Sequence, residues 1–230
     1  TPLYSSAASD VYKRQGDRQT ASEQVPVVFI VDDDLSAREG LQDLVESIGL
    51  RTQLFGSSDE FLSQKLPEVE SCLVLDVRLP GMSGLEFQER LAESNIHIPV
   101  IFMTGFGDVP MSVKAMKAGA VDFLPKPFRD QEMLDAILKA LARDREYRQR
   151  EAQAAGVRLR YEALSQRERE MLILATSGLL NKQIAAEVGI AEATVKVHRA
   201  NIMRKMQAGS FAELVRMVEG LGLTRSRQKG

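Results

Sequence analysis

The chain has 230 residues, 44% hydrophobic and 27% charged, the balance of a globular protein long enough for two ordinary domains. No apolar run approaches the roughly 18 residues that cross a membrane, the first residues lack the basic start and apolar centre of a secretory signal, and the single cysteine, Cys72, excludes an internal disulfide, so the cytoplasm is the expected location. The net charge of −2 hides an asymmetry: residues 1–145 hold 15 Lys/Arg against 23 Asp/Glu, a balance of −8, whereas residues 146–230 hold 15 against 9, a balance of +6, so two domains with different partners are expected and the basic one suits a polyanion.

Residues 1–24 are polar, rich in Ser and Ala and without periodicity. They are expected to be disordered, and Thr1 to Gln15 resembles translated adapter sequence more than a native start. Val27-Val-Phe-Ile-Val31 is a continuous apolar run, as in a strand buried on both faces. Leu41, Leu44, Val45 and Ile48 give helical spacing to Leu35–Ile48, and Gly49 ends it. Arg51–Phe55 reads as a second strand, and Ser57-Ser-Asp-Glu60 has the capping-box spacing that opens a short helix. Cys72–Leu75 reads as a third strand, with Cys72 as a small buried residue. A helix over Gly84–Ala92, a strand over Val100–Met103, a helix over Val109–Ala118, a strand over Val121–Leu124 and a helix from about Asp130 follow. This alternation predicts an α/β domain over 25–145, a doubly wound five-stranded parallel sheet of the flavodoxin type with helices on both faces.

The last helix keeps its period through Leu134, Ile137, Leu138 and Leu141, then turns strongly charged over Arg143–Arg150. Residues 146–161 therefore read as a solvated linker helix, weakened at Gly156. From Leu164 no strand pattern remains. Four short helices are expected, over Ser165–Thr176, Asn181–Val188, Glu192–Gln207 and Ser210–Leu221, with capping-box spacing at Ser165/Glu168 and Ser210/Glu213. They form a small all-α domain over 162–222, and 223–230 is a basic tail.

An open parallel sheet binds ligands outside the carboxyl ends of its strands. Here the first strand ends in Asp32-Asp33-Asp34, the third in Asp76, the fourth in Thr104-Gly105 and the fifth in Lys126, within Pro125-Lys126-Pro127. Clustered carboxylates need a cation to stay ionised, and a hard divalent ion with oxygen ligands, Mg²⁺, meets that need. An ionised Asp can attack a phosphoryl group to give an acyl phosphate, with Lys and Thr donors stabilising the phosphoryl oxygens.

Val31-Asp-Asp-Asp34, Leu75-Asp-Val-Arg-Leu-Pro-Gly-Met-Ser-Gly84, Met103-Thr-Gly-Phe-Gly-Asp-Val-Pro110 and Lys117-Ala-Gly-Ala-Val-Asp-Phe-Leu-Pro-Lys-Pro-Phe128 resemble the receiver domain of two-component response regulators, of the FixJ type. The resemblance implies that Asp76 accepts phosphate from a sensor histidine kinase. It implies further that Asp33, Asp76 and the main-chain carbonyl of Arg78 hold Mg²⁺ with support from Asp32, and that Thr104 and Lys126 sense the phosphoryl group. Phe123 stands at the position of the rotating aromatic switch. The chain is then a phosphoacceptor, not an enzyme. The alternative is a phosphatase of the haloacid-dehalogenase type, which the strand end Asp32-Asp-Asp34 also fits, but which gives Asp76 no role.

In the basic half, Asn181-Lys-Gln-Ile-Ala-Ala-Glu-Val-Gly189, a short turn, and the helix from Glu192 have helix-turn-helix form. At about 100° per residue, Val195, Ile202 and Met206 face the core. Arg199 lies near them and is expected to pair with Glu168 or Glu170. Val197, Ala200 and Arg204 point away, flanked by Thr194, Lys196 and Asn201. Small apolar residues on an exposed face suit close approach to a major groove. With two histidines in the chain, His97 and His198, a His-metal site is not expected. Leu164-Ser-Gln-Arg-Glu-Arg-Glu170, Gly178-Leu-Leu-Asn-Lys-Gln-Ile-Ala185 and Ala193 to Met206 resemble the LuxR-type helix-turn-helix, although Gln166 replaces the Pro usual in the first turn. The resemblance implies that Lys196, Val197 and Ala200 lie near bases, and Thr194, His198 and Asn201 near the DNA backbone. Arg204 and Lys205 supply further backbone-facing cations. The whole is then a transcription regulator of the FixJ/NarL class that binds double-stranded DNA and forms a homodimer on phosphorylation. Met111, Val113 and Val121 are candidates for the dimer surface, and RNA polymerase is a candidate partner. A protein-binding role for the C-terminal helices is the alternative.

Overall fold

The computed structural model describes residues 25–105 and 109–223, so the readings of 1–24, of Phe106 to Asp108 and of the tail beyond Leu223 lie outside the described residues. The chain divides into two compact units, Thr1–Arg148 and Gln149–Gly230.

In the first unit the strands are β1 (Val27–Val31), β2 (Arg51–Phe55), β3 (Ser71–Asp76), β4 (Val100–Thr104) and β5 (Asp122–Pro125). They pair in parallel in the order β2-β1-β3-β4-β5. The helices are α1 (Leu35–Ser47), α2 (Ser58–Leu62), α3 (Gly84–Glu93), α4 (Val109–Lys117) and α5 (Asp130–Glu162), whose residues from Gln149 onward belong to the second unit. Alternation along the strands divides the interior. Phe29, Val31, Leu73, Leu75 and Phe102 face one core with Phe55, Phe61 and Phe87, while Val28, Ile30, Cys72, Val74 and Ile101 face the other with Leu41, Val45 and Ile137. Both faces of the sheet are covered, which is why its central strands are apolar without a break. Cys72 is a core residue; burial foremost, and the charge of Asp144 after it, push its thiol above the usual range.

The second unit holds α6 (Gln166–Thr176), α7 (Asn181–Val188), α8 (Glu192–Met206) and α9 (Phe211–Gly220) around a core of Leu164, Met171, Leu172, Ile184, Val195, Ile202, Met206, Leu214 and Val218. Gly189 closes α7 in the left-handed conformation (φ 72°), where a residue without Cβ is unstrained, and so turns the chain into α8.

Several local expectations need correction. The helix begun at Asp130 runs unbroken through Gly156 to Glu162; the Ala, Arg, Gln and Glu around the glycine outweigh its cost of about 1 kcal/mol. Ser165 and Glu168 form the full reciprocal capping box, as do Ser83 and Glu86, a pair the sequence reading passed over. At Ser57 and Ser210 only half forms: the serine caps the helix, but Glu60 and Glu213 accept from Gly56 and Gly209, one residue further back.

Candidate functional site

Strand β1 sits between β2 and β3, where the winding reverses, and its register with β3 pairs Val31 with Leu75. The next residues, Asp32 and Asp76, therefore leave neighbouring strands side by side at the switch point, where an open sheet binds its ligand. Lys126, just after β5, reaches across: its Nζ lies 2.7 Å from Asp32 Oδ2 and 2.7 Å from Asp76 Oδ2. Its main-chain N–H donates to the Thr104 carbonyl at 2.7 Å, which ties the lysine to the end of β4. Burial pulls the Lys126 ammonium down, but the hydrogen bonds and charges of the two aspartates together outweigh it and hold its pKa above the usual lysine value.

The two carboxylates are not equivalent. Asp32 Oδ1 accepts from the Asp34 N–H at 2.9 Å, and its side chain is 1% exposed. Asp76 Oδ1 accepts from the Arg78 N–H at 2.8 Å, and its side chain is 11% exposed, so Asp76 is the member of the pair that an incoming group can reach. Asp33 is exposed, and Asp34 caps α1 by accepting from the Ser36 N–H. Thr104 is buried, and Phe123 is half-buried against Phe102, with ring centroids 6.3 Å apart. Arg38 and Gly84 also bear on the two aspartates. Arg38 Nη1 donates to the main-chain carbonyl of Asp32. A Cβ on Gly84 would lie 2.6 Å from the Asp76 carbonyl oxygen and 3.1 Å from the Phe102 ring, so only glycine lets α3 start this close to Asp76. The glycine was legible as a helix start, whereas nothing in the spacing announces Arg38.

The donor set is all oxygen, and Asp32, Asp33 and Asp76 outnumber the single Lys126, so its chemistry fits a hard divalent cation. Among the described residues no three His, Cys, Asp or Glu are already grouped as a metal site.

In the second unit, α8 buries Val195, Ile202 and Met206 and leaves Thr194, Lys196, Val197, Ala200 and Arg204 exposed, with Val197 60% exposed. Asn201 and His198 are half-buried. Two expectations change here. Arg199 pairs with neither Glu168 nor Glu170; it donates to Asn181 Oδ1 at 2.9 Å and lies over the Phe211 ring at 4.6 Å. The partner of Glu168 is Lys205, at 2.7 Å. Lys205 was expected to face DNA, but its ammonium is held by a buried carboxylate inside the domain. That hydrogen bond holds the Glu168 pKa at about 2, below the ordinary 4.5, so the pair stabilises the fold fully above pH 4.5 and loses that contribution as pH falls towards 2. Glu168→Gln should lower the stability of this unit at pH 7 by about 1–2 kcal/mol, solvent at the lysine screening part of the interaction. Urea unfolding at pH 7 and pH 3 measures it; a difference from the parent that failed to shrink at pH 3 would rule out the ion pair as its source.

The proposed dimer residues also separate. Val113 is 46% exposed, and Met111 is half-buried and packs on the core. Val121, at 3%, lies in the core beneath α5 and cannot meet a partner.

A doubly wound sheet with an aspartate pair bridged by lysine at its switch point, followed by a helix-turn-helix, defines a phosphoacceptor domain joined to a DNA-binding one. The response regulator receiver domain family matches residues 28–138, and the luxR family of bacterial regulatory proteins matches 162–218. The chain is 53% identical to nodulation protein W of Bradyrhizobium diazoefficiens over 93% of both chains. It is 47% identical to the transcriptional regulatory protein FixJ of Azorhizobium caulinodans over 85% of this chain and 92% of that one. Among solved structures, the response regulator StyR matches 85% of this chain and 98% of its own at 50% identity, with a TM-score of 0.74. The chain belongs to the two-component response regulators with a receiver domain and a LuxR-type helix-turn-helix, the FixJ-type transcriptional regulators. It is a phosphoacceptor rather than a catalytic enzyme, which removes the phosphatase alternative. Among the described residues no helix is long and apolar enough to cross a membrane.

Proposed function

We propose that Asp76 accepts a phosphoryl group from a sensor histidine kinase in the cytoplasm, and that this drives a homodimer whose two α8 helices read double-stranded DNA. The reading rests above all on the bridge from Lys126 to Asp32 and Asp76, with Asp76 the more exposed. An Asp76 oxygen attacks phosphorus, the bond to the donor's imidazole breaks, and an acyl phosphate remains. Asp33, Asp76 and the Arg78 carbonyl would hold Mg²⁺, with Asp32 in support; when bound, the ion shields the carboxylates from one another and neutralises phosphoryl oxygen charge. Lys126 then exchanges one carboxylate partner for a phosphoryl oxygen, and Thr104 donates to another. Phe123, packed beside Phe102 next to these groups, turns inward as they move. The receiver of this reading spans 25–145, the linker helix 146–161 and the output domain 162–222; a division of the chain after Arg148 supports it.

A single small output domain contacts few base pairs, so paired domains on two half-sites supply the affinity. The receiver surface proposed for pairing is Val113 with the neighbouring Met116, both exposed on α4, and the half-buried Met111 beside them. Contact with RNA polymerase belongs to the same reading. Acetyl phosphate with Mg²⁺ should add one phosphoryl group per chain, located at Asp76 by peptide mapping, and sedimentation should then show a larger dimer fraction. A phosphoryl group mapped elsewhere would overturn the acceptor; an unchanged monomer fraction after verified phosphorylation would overturn the dimer.

A further inference from the structure

The segment that looked like the start of a solvated linker is fastened to the receiver sheet. Asp144, on α5, is fully buried, and its Oδ2 accepts from the Ser71 N–H at 2.9 Å and from Arg148 Nε at 2.6 Å. The next residue, Arg145, holds Glu70 through two hydrogen bonds of 2.6 and 2.8 Å. A little further along the helix, Tyr147 stacks on His97, ring centroids 3.5 Å apart, just ahead of β4. Ser71, directly after Glu70, opens β3, the strand whose other end carries Asp76.

Packing alone does not account for Asp144. Its Oδ1 is buried without a hydrogen-bond partner, and a buried carboxylate is costly unless its lone pairs are satisfied. An apolar side chain of similar volume would avoid that cost but would leave the buried Ser71 N–H, at the start of β3, without its acceptor. What the carboxylate does and an apolar residue cannot is fix one register: it singles out the Ser71 N–H, and Arg145 on the following residue singles out Glu70. The same helix runs on into the output unit, where Val157 and Tyr161 pack on the core of that unit.

We infer that the clamp joining Glu70 and Ser71 to Arg145 and Asp144, with Arg148 bracing Asp144 from the same helix, couples phosphorylation at the other end of β3 to the linker helix, and so to DNA binding. The inference rests on Asp76 being the phosphoacceptor. One end of β3 receives the signal, and the other holds the helix that leads to the output domain. Losing the clamp should leave phosphoryl uptake intact and detach it from output.

Spatial adjacency is not coupling, so the test measures coupling directly. Full-length parent, Asp144→Ala, Glu70→Gln and Arg145→Ala are phosphorylated with acetyl phosphate. Affinity is titrated before and after, on a duplex selected from a random pool by the phosphorylated parent. The expected result is uptake within about twofold of the parent and at least a tenfold smaller ratio of phosphorylated to unphosphorylated affinity, about 1.4 kcal/mol of lost coupling. Folded Asp144→Ala retaining the parent ratio overturns the clamp. Should Asp144→Ala fail to fold, the exposed arm decides: Glu70→Gln and Arg145→Ala both keeping the ratio overturn it equally. Parent protein phosphorylated at a residue other than Asp76 would instead fail the underlying reading, and peptide mapping distinguishes the two.

Discussion

Asp76→Asn should take up no measurable phosphoryl group from acetyl phosphate, whereas Asp32→Asn should still be labelled, more slowly. The asymmetry follows from burial and hydrogen bonding. Both aspartates touch Lys126 at 2.7 Å, but Asp32 is sealed beneath the Asp34 N–H, while Asp76 opens towards solvent. The amide introduced by Asp76→Asn would keep most of the local contacts and lose the nucleophile, so its failure would be chemical rather than a failure to fold. Lys126→Ala makes the complementary case. It leaves two carboxylates facing each other without their cation, at a cost of about 2–3 kcal/mol, below the 3–5 of a fully buried pair because the lysine side chain is 28% exposed. Some phosphorylation should survive in it, uncoupled from output. Intact-mass measurement of the three variants under one phosphorylation protocol is the check; full labelling of Asp76→Asn would sink the assignment.

The fold was legible because its signals are local and redundant. Five strand-like runs, each closed by a polar residue, Gly or Pro, leave few ways to wind a parallel sheet. Asp32, Asp76, Thr104 and Lys126 were legible because every strand of such a sheet ends at the same edge, so four strand ends in sequence are four neighbours in space. What stayed hidden depends on distance. Asp144 sits in a run of charges that reads as solvated, and its burial is decided by Ser71, 73 residues away. Lys205 looks like one more exposed cation until Glu168, 37 residues earlier, is found beside it. Val121 reads as a strand residue with two possible faces, and only the path of α5 over the sheet buries it. Arg199 was placed on the correct side of its helix but given the wrong partner, since helical periodicity fixes direction and not which polar group is waiting there.

Ala200→Glu should abolish duplex binding while the domain stays folded. Ala200 and Val197 are exposed on the side of α8 opposite Val195, Ile202 and Met206, so the replacement touches no core contact, and glutamate is a good helix former. In a major groove the same side chain would add bulk where close approach is needed and negative charge beside phosphates. Two further variants separate reading from attraction. Lys196 is paired with exposed Glu192 at 3.4 Å, a contact that a base edge can replace, and Lys196→Ala should cost roughly 1–3 kcal/mol at the preferred site and less elsewhere. Arg204 is exposed near the end of the helix, and Arg204→Ala should weaken all sequences alike and flatten the salt slope by about one unit. Lys205→Ala should behave differently from Arg204→Ala because Glu168 already holds that ammonium: it should cost stability of the unit more than it flattens the slope. The measurement is a titration of the full-length chain against a selected duplex and random duplexes at several salt concentrations, with circular dichroism to confirm folding. Undiminished binding by a folded Ala200→Glu protein would mean that DNA meets a different face of α8.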